Sequence, residues 1–115
     1  MYLIHNPVRT RSSFSDPLWY KKEWIQETWR EMVKLKESGL CKNIGVSNFT
    51  TVKLDWLQED SEAPSNNQVE LHPYLPQNKL LKYCNDHKIV LTAYSPLGTP
   101  ATRESFPTLC DASNP

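Results

Sequence analysis

The chain has 115 residues, the size of one ordinary domain, and this is less than half of the roughly 250 residues over which a complete α/β barrel lays out its eight strand-and-helix units. Thirteen Lys and Arg balance thirteen Asp and Glu, and the sequence pI of about 6.8 excludes the basic footprint of a nucleic-acid binder or anionic-membrane binder. Apolar residues make up 38% of the chain, so the core is modest and leans on its large units: four Trp, five Tyr and three Phe.

No apolar run approaches the roughly 18 residues of a membrane span, and the opening MYLIHNPVRTR has neither the basic start nor the longer apolar stretch of a signal peptide. A soluble, cytoplasmic chain with no membrane partner is expected. Cys41, Cys84 and Cys110 are widely spaced, with no CxxC pair and no His pattern suited to zinc. They are expected to be reduced thiols, and no metal site is expected.

In chain order, Tyr2 to His5 form a short apolar run cut by Asn6-Pro7, which suits a buried strand. Arg9 to Lys22 is polar and without periodicity, and it reads as a long surface loop. From Trp24 to Ser38 the residues Ile25, Trp29, Met32, Val33 and Leu35 recur at helical spacing, and Gly39 stands as the stop. Asn43 to Ser47 reads as a strand. Thr50 or Thr51 can cap a second helix carrying Val52, Leu54, Trp56 and Leu57.

Pro64 to Asn67 read as a turn, and Gln68 to His72 alternate like a strand until Pro73 and Pro76 break it. Leu80, Leu81, Tyr83, Cys84 and His87 share one helical face. Ile89 to Tyr94 is a β-prone run ended by Ser95-Pro96-Leu97-Gly98, and the tail from Thr99 to Pro115 has no evident element. One domain over residues 1–98 and an irregular tail over 99–115 are therefore expected.

Four strands alternating with helices give an α/β chain with a parallel sheet. Ligand groups in such sheets gather at the carboxyl ends of the strands. The polar residues there are His5, Ser47-Asn48, Gln68 with Glu70 and His72, and Tyr94-Ser95. Each has an ordinary explanation when taken singly: a satisfied histidine, a cap and turn, a packed tyrosine. Glu70 and His72 read as structural hydrogen-bonding groups, because two ligands make no closed metal site.

Taken together and in order, YLIHNP at 2–7, TWREMVKLKESGLCKNIGVSNF at 28–49, NQVELHPYLPQNKLLKYC at 67–84 and IVLTAYSPLG at 89–98 resemble the aldo-keto reductase family. The resemblance implies a partial (α/β)8 TIM barrel, of which this chain carries about four parallel strands, the fourth to the seventh. It also implies NADPH as the usual cofactor and a small-molecule carbonyl substrate, an aldehyde or ketone. Of the family's catalytic Asp, Tyr, Lys and His, only the His has a match, His5. The other three lie upstream of this strand in family members, and none of the five tyrosines stands at the matching position.

On the cofactor side, the resemblance makes Ser47, Asn48 and Gln68 hydrogen-bond the nicotinamide carboxamide, whose donor and acceptor edges suit such side chains. It stacks Tyr94 on the nicotinamide ring and lays Ser95 and Leu97 along the pyrophosphate. Many members carry an aromatic residue directly after the His, lining the substrate pocket. Here that position is Asn6, which removes the basis for an inherited preference for aromatic substrates. The alternative is a noncatalytic half-barrel that binds a nucleotide or a protein partner, with self-association through open sheet edges.

Overall fold

The four expected strands form one parallel sheet. The computed structural model describes residues 1–10, 17–18 and 21–99, with the elements β1 (Tyr2–Ile4), β2 (Arg9–Thr10), β3 (Pro17–Leu18), α1 (Lys22–Glu37), β4 (Ile44–Ser47), α2 (Thr51–Gln58), β5 (Asn66–Glu70), α3 (Asn78–Asp86) and β6 (Val90–Tyr94). The main sheet runs β1-β4-β5-β6, every neighbouring pair parallel. Its order is the order of the chain, with one helix in each crossover, the kind of connection that parallel neighbours need.

The stretch expected as a loop contains a two-stranded antiparallel ribbon, β2 with β3, pairing Arg9 with Leu18 and Thr10 with Pro17. Main-chain pairing of that kind leaves no periodic trace in two-residue strands. The serines and Asp16 between them lie outside the described residues, as do Cys110 and residues 100–115 of the expected tail.

Helix α1 buries Ile25, Trp29 and Met32, spaced four and three apart on one face. Trp29 is fully enclosed, and its indole N–H donates to the Glu62 carbonyl at 2.9 Å. Gly39, at φ 78°, takes the left-handed turn just past the helix end, a conformation that costs a residue with a Cβ. Helix α2 is preceded by Thr50 in the cap position, but the Thr50 hydroxyl makes no capping bond. Leu54 and Leu57 fasten it to the core.

The buried stripe of α3 is narrower than its sequence suggests. Leu80 and Cys84 are buried, whereas Leu81 and His87 lie exposed. Tyr83 and His87, one turn apart, stack on each other with ring centroids 4.0 Å apart. The exposed His87 ring is thus covered by half-buried Tyr83 and not by the core.

Strand β5 begins two residues earlier than its alternation implies, at Asn66 rather than Gln68. Tertiary hydrogen bonds override the turn preference of the two asparagines. The Asn67 amide, fully buried, donates to the Phe49 carbonyl at 2.9 Å and accepts from the Phe49 N–H at 3.4 Å. Asn66 Oδ1 accepts the Thr92 hydroxyl at 2.6 Å on the other face. His72, expected as the strand's end, instead closes a turn with Leu75 through His72 N–H to Leu75 O at 3.3 Å and Leu75 N–H to His72 O at 2.8 Å.

The core lies between one sheet face and the helices, built from Ile25, Trp29, Met32, Ile44, Val46, Phe49, Leu54, Leu57, Val69, Leu80, Cys84 and Ile89. Cys41 and Cys84 are free thiols, the first half-buried and the second buried. No helix among the described residues is long and apolar enough to cross a membrane.

Candidate active site

Strand alternation and parallel register sort the residues onto two faces. Ile4 pairs with Val46, and Val46 with Asn67, all toward the helices. The opposite face therefore carries Leu3 beside Gly45, Ser47 beside Gln68 beside Thr92, and Glu70 beside Tyr94. His5, one residue beyond β1, continues the Leu3 side. The four strands thus bring His5, Ser47, Gln68 and Tyr94 to the carboxyl end of one face, as the sequence predicts for a ligand site.

That face is tightly built at β4. A Cβ at Gly45 would meet the Asn66 carbonyl oxygen at 2.7 Å and Leu3 Cδ2 at 2.8 Å, so only glycine lets β1 and β5 close around it. Beyond it, the buried Ser47 hydroxyl donates to the Gln68 carbonyl at 2.7 Å. The same oxygen accepts the Asn48 backbone N–H at 2.9 Å, so both lone pairs of Gln68 O are engaged.

Asn48 links three strand ends. It adopts the left-handed backbone at φ 63°, which asparagine tolerates better than most residues. Its Nδ2 donates to the His5 carbonyl at 3.0 Å, to Asn6 Oδ1 at 2.8 Å and toward Ser47 Oγ at 3.2 Å. Its Oδ1 accepts the Tyr94 hydroxyl at 2.9 Å. Tyr94 remains 37% exposed. After β6 the chain turns at Ser95, φ 49°, closed by Gly98 N–H to Ser95 O at 2.8 Å, and Leu97 is presented outward at 80% exposure.

A pocket of about 420 Å³ opens at this end of the sheet, lined by Asn48, Thr50, Glu70, Gln77, Lys79 and Tyr94 among others. A smaller, more apolar one of about 220 Å³ lies behind β1, between Ile4, Asn6, Trp24, Ile25 and Phe49. Glu70 and His72 meet each other, Nε2 to Oε1 at 3.3 Å, with the imidazole buried. No cluster of three or more His, Cys, Asp or Glu side chains able to hold a metal occurs among the described residues.

The family model for aldo/keto reductases matches residues 1–114. The chain belongs to the aldo/keto reductase family. It is 46% identical over 113 residues to aldose reductase C of Dictyostelium discoideum, an alignment spanning 85% of this chain and 35% of that protein. Among solved structures it is similar to an aldo/keto reductase from Brucella melitensis, with a TM-score of 0.71 and 40% identity over 90% of this chain and 38% of the other. The aldo-keto reductase of Bombyx mori, solved in complex with NADP, gives a TM-score of 0.71 at 35% identity, over 82% of this chain and 30% of that one. The chain thus spans about a third of the length of these relatives, and its four parallel strands are part of an (α/β)8 barrel.

The donor set fits a nicotinamide. A hydroxyl, two carboxamides and a partly exposed aromatic ring share one end of one sheet face, which matches an amide on a flat ring. The fit has a condition, because the Ser47 hydrogen is committed to Gln68 O. Ser47, and Asn48 whose two Nδ2 hydrogens go to the His5 carbonyl and Asn6 Oδ1, can therefore offer a ligand only their oxygens, as acceptors.

Two features of this site were beyond sequence reasoning. The departure at Asn6 was visible in the sequence, but its partner Asn48 lies 42 positions away. Nothing local announces a pairing at that distance. Nor does any local pattern mark Asn66 and Asn67 as sheet residues whose amides bond to Thr92 and to the Phe49 main chain.

Proposed function

We propose that residues 1–98 carry the nicotinamide-facing side of an NADPH-dependent carbonyl reductase acting on aldehydes or ketones, with 99–115 as an irregular tail. What supports the reading is the convergence of His5, Ser47, Asn48, Gln68 and Tyr94 at the carboxyl ends of β1, β4, β5 and β6, in a chain of this family. Bound there, the cofactor supplies the hydride. Gln68 orients its carboxamide, Ser47 and Asn48 accept from it through their oxygens, and Tyr94 sets which ring face is presented. Ser95 and Leu97 border its phosphates.

His5 orients the carbonyl and stabilises charge developing on its oxygen. It does not replace the proton donor. A tyrosine near pKa 10 needs a cationic neighbour to act near neutrality, and these 115 residues hold no such pair at the matching positions. The side chain after the histidine, Asn6, takes the place of an aromatic wall on the substrate side.

A second reading is favoured by the sheet edges. Among the described strands, β1 and β6 each pair on one side only, and Tyr2 and Val90 are 56% and 62% exposed. A protein partner or second copy adding to those edges would make this a binding half-barrel.

The test is a hybrid in which these residues replace the corresponding third of Dictyostelium aldose reductase C. NADPH titration and aldehyde reduction by a folded hybrid, both lost or weakened with Tyr94→Ala or His5→Ala, support the first reading. A folded hybrid that binds no NADPH rejects it in favour of the second.

A further inference from the structure

Asn6 commits its carboxamide oxygen inside the chain, to Asn48 Nδ2 at 2.8 Å, the shortest of the three acceptor contacts on that nitrogen. We infer that Asn6 is a positioning residue for the ring of Tyr94, acting through the carboxamide of Asn48. The inference rests on the reading of Tyr94 as the nicotinamide platform.

The direction of the Asn48 amide follows from its partners. The His5 carbonyl can only accept, so Nδ2 must face it. Oδ1 then faces the Tyr94 hydroxyl and takes its hydrogen at 2.9 Å. The terminal torsion of asparagine is soft, with no deep staggered wells to hold it. Its orientation depends on what it touches.

Of those contacts, Ser47 Oγ is the longest at 3.2 Å, and the Ser47 hydrogen already points to Gln68 O. With Asn6 removed, one Nδ2 hydrogen keeps the His5 carbonyl and the other keeps only that long contact. The carboxamide can then swing, and the Tyr94 hydroxyl loses a fixed acceptor. The residue after the histidine thereby acts on the cofactor side of the site, three strands away in the sheet order.

The test compares the 115-residue chain with Asn6→Asp, which keeps an acceptor oxygen at the same place, and Asn6→Leu, which keeps the bulk alone. In isotope-labelled samples, Asn6→Leu should speed hydrogen exchange of the Asn48 side-chain amide by about tenfold and shift the Tyr94 ring resonances. Asn6→Asp should leave both near the parent values. A purely structural Asn6 would lower the unfolding midpoint in Asn6→Leu without this paired signature.

The inference is overturned if Asn6→Leu folds and leaves Asn48 and Tyr94 unmoved, or if Asn6→Asp disturbs them equally. Should Asn6→Leu fail to fold, Tyr94→Phe carries the same test in reverse. The Asn6 side-chain amide then shifts if the three groups are linked and stays put if they are not. In the hybrid, Asn6→Leu should weaken NADPH binding about tenfold, with Asn6→Asp unchanged. A hybrid that binds no NADPH sinks the cofactor reading alone, because the resonances decide the positioning without cofactor.

Discussion

The hydroxyl of Tyr83 on α3 donates to Asp55 Oδ1 on α2 at 2.5 Å, and accepts from Gln58 Nε2 at 2.9 Å. Desolvation by the packed helices, reinforced by the Asp55 hydrogen bond and charge, pushes the Tyr83 hydroxyl up to about 12. An unfolded tyrosine ionises near 10. Between those values the unfolded chain has lost a proton that the folded chain keeps, so stability falls as pH rises through the window.

We therefore expect Tyr83→Phe to flatten the decline in stability between about pH 10 and pH 12, at a cost of about 1 kcal/mol or less at neutral pH. Denaturant midpoints of both proteins at several alkaline pH values provide the measurement. Parallel declines would mean that Tyr83 ionises as freely in the fold as in the open chain.

Gly45→Ala should destabilise the protein by about 1 to 3 kcal/mol, the usual cost of forcing bulk into a packed place. One of the two atoms crowding the new methyl group is main chain, the Asn66 carbonyl oxygen at 2.7 Å, which cannot swing aside as a side chain can. Urea unfolding at constant slope reads the effect. An unchanged midpoint would show that β4 and β5 separate at little cost.

Cys84 is fully enclosed, and burial raises its thiol pKa, with an Asn67 hydrogen bond acting the other way. The thiolate is the reactive form. Alkylation followed by peptide mass spectrometry should find Cys84 modified on the order of tenfold or more slowly than half-buried Cys41. Equal rates would indicate that α3 opens readily from the sheet.

A polypeptide of these 115 residues should not turn over NADPH and an aldehyde. General acid assistance is worth about 10²- to 10⁴-fold, and its tyrosine and lysine have no match here. Absorbance of NADPH with purified chain and a reactive aldehyde provides the assay. Turnover of the order of one per second, ordinary for enzymes, would refute the account of His5 as an auxiliary group.

The parallel order of elements was legible because apolar periodicity switches cleanly between helix and strand: Ile25, Trp29 and Met32 for α1, Ile44 and Val46 for β4. The family motifs marked the candidate side chains, and the register of β4, β5 and β6 put Ser47, Gln68 and Tyr94 on one face. What escaped was everything decided by distant hydrogen bonds. Asn66 and Asn67 look like turn residues until Thr92 and Phe49 are placed against them. The β2–β3 ribbon depends on main-chain pairing that side chains do not encode. His87 looks like a core position on α3, yet it is served by Tyr83 on the surface.

The coincidence of sheet order with chain order has a kinetic consequence. Each strand of the main sheet docks on the main-sheet strand made before it, so every ring closed is about one β-α-β unit long. Closure entropy grows only slowly with length, and the largest single payment falls on joining β4 to β1 across the ribbon and α1. Once that step is made, β5 and β6 add to a growing edge in the order in which a ribosome delivers them.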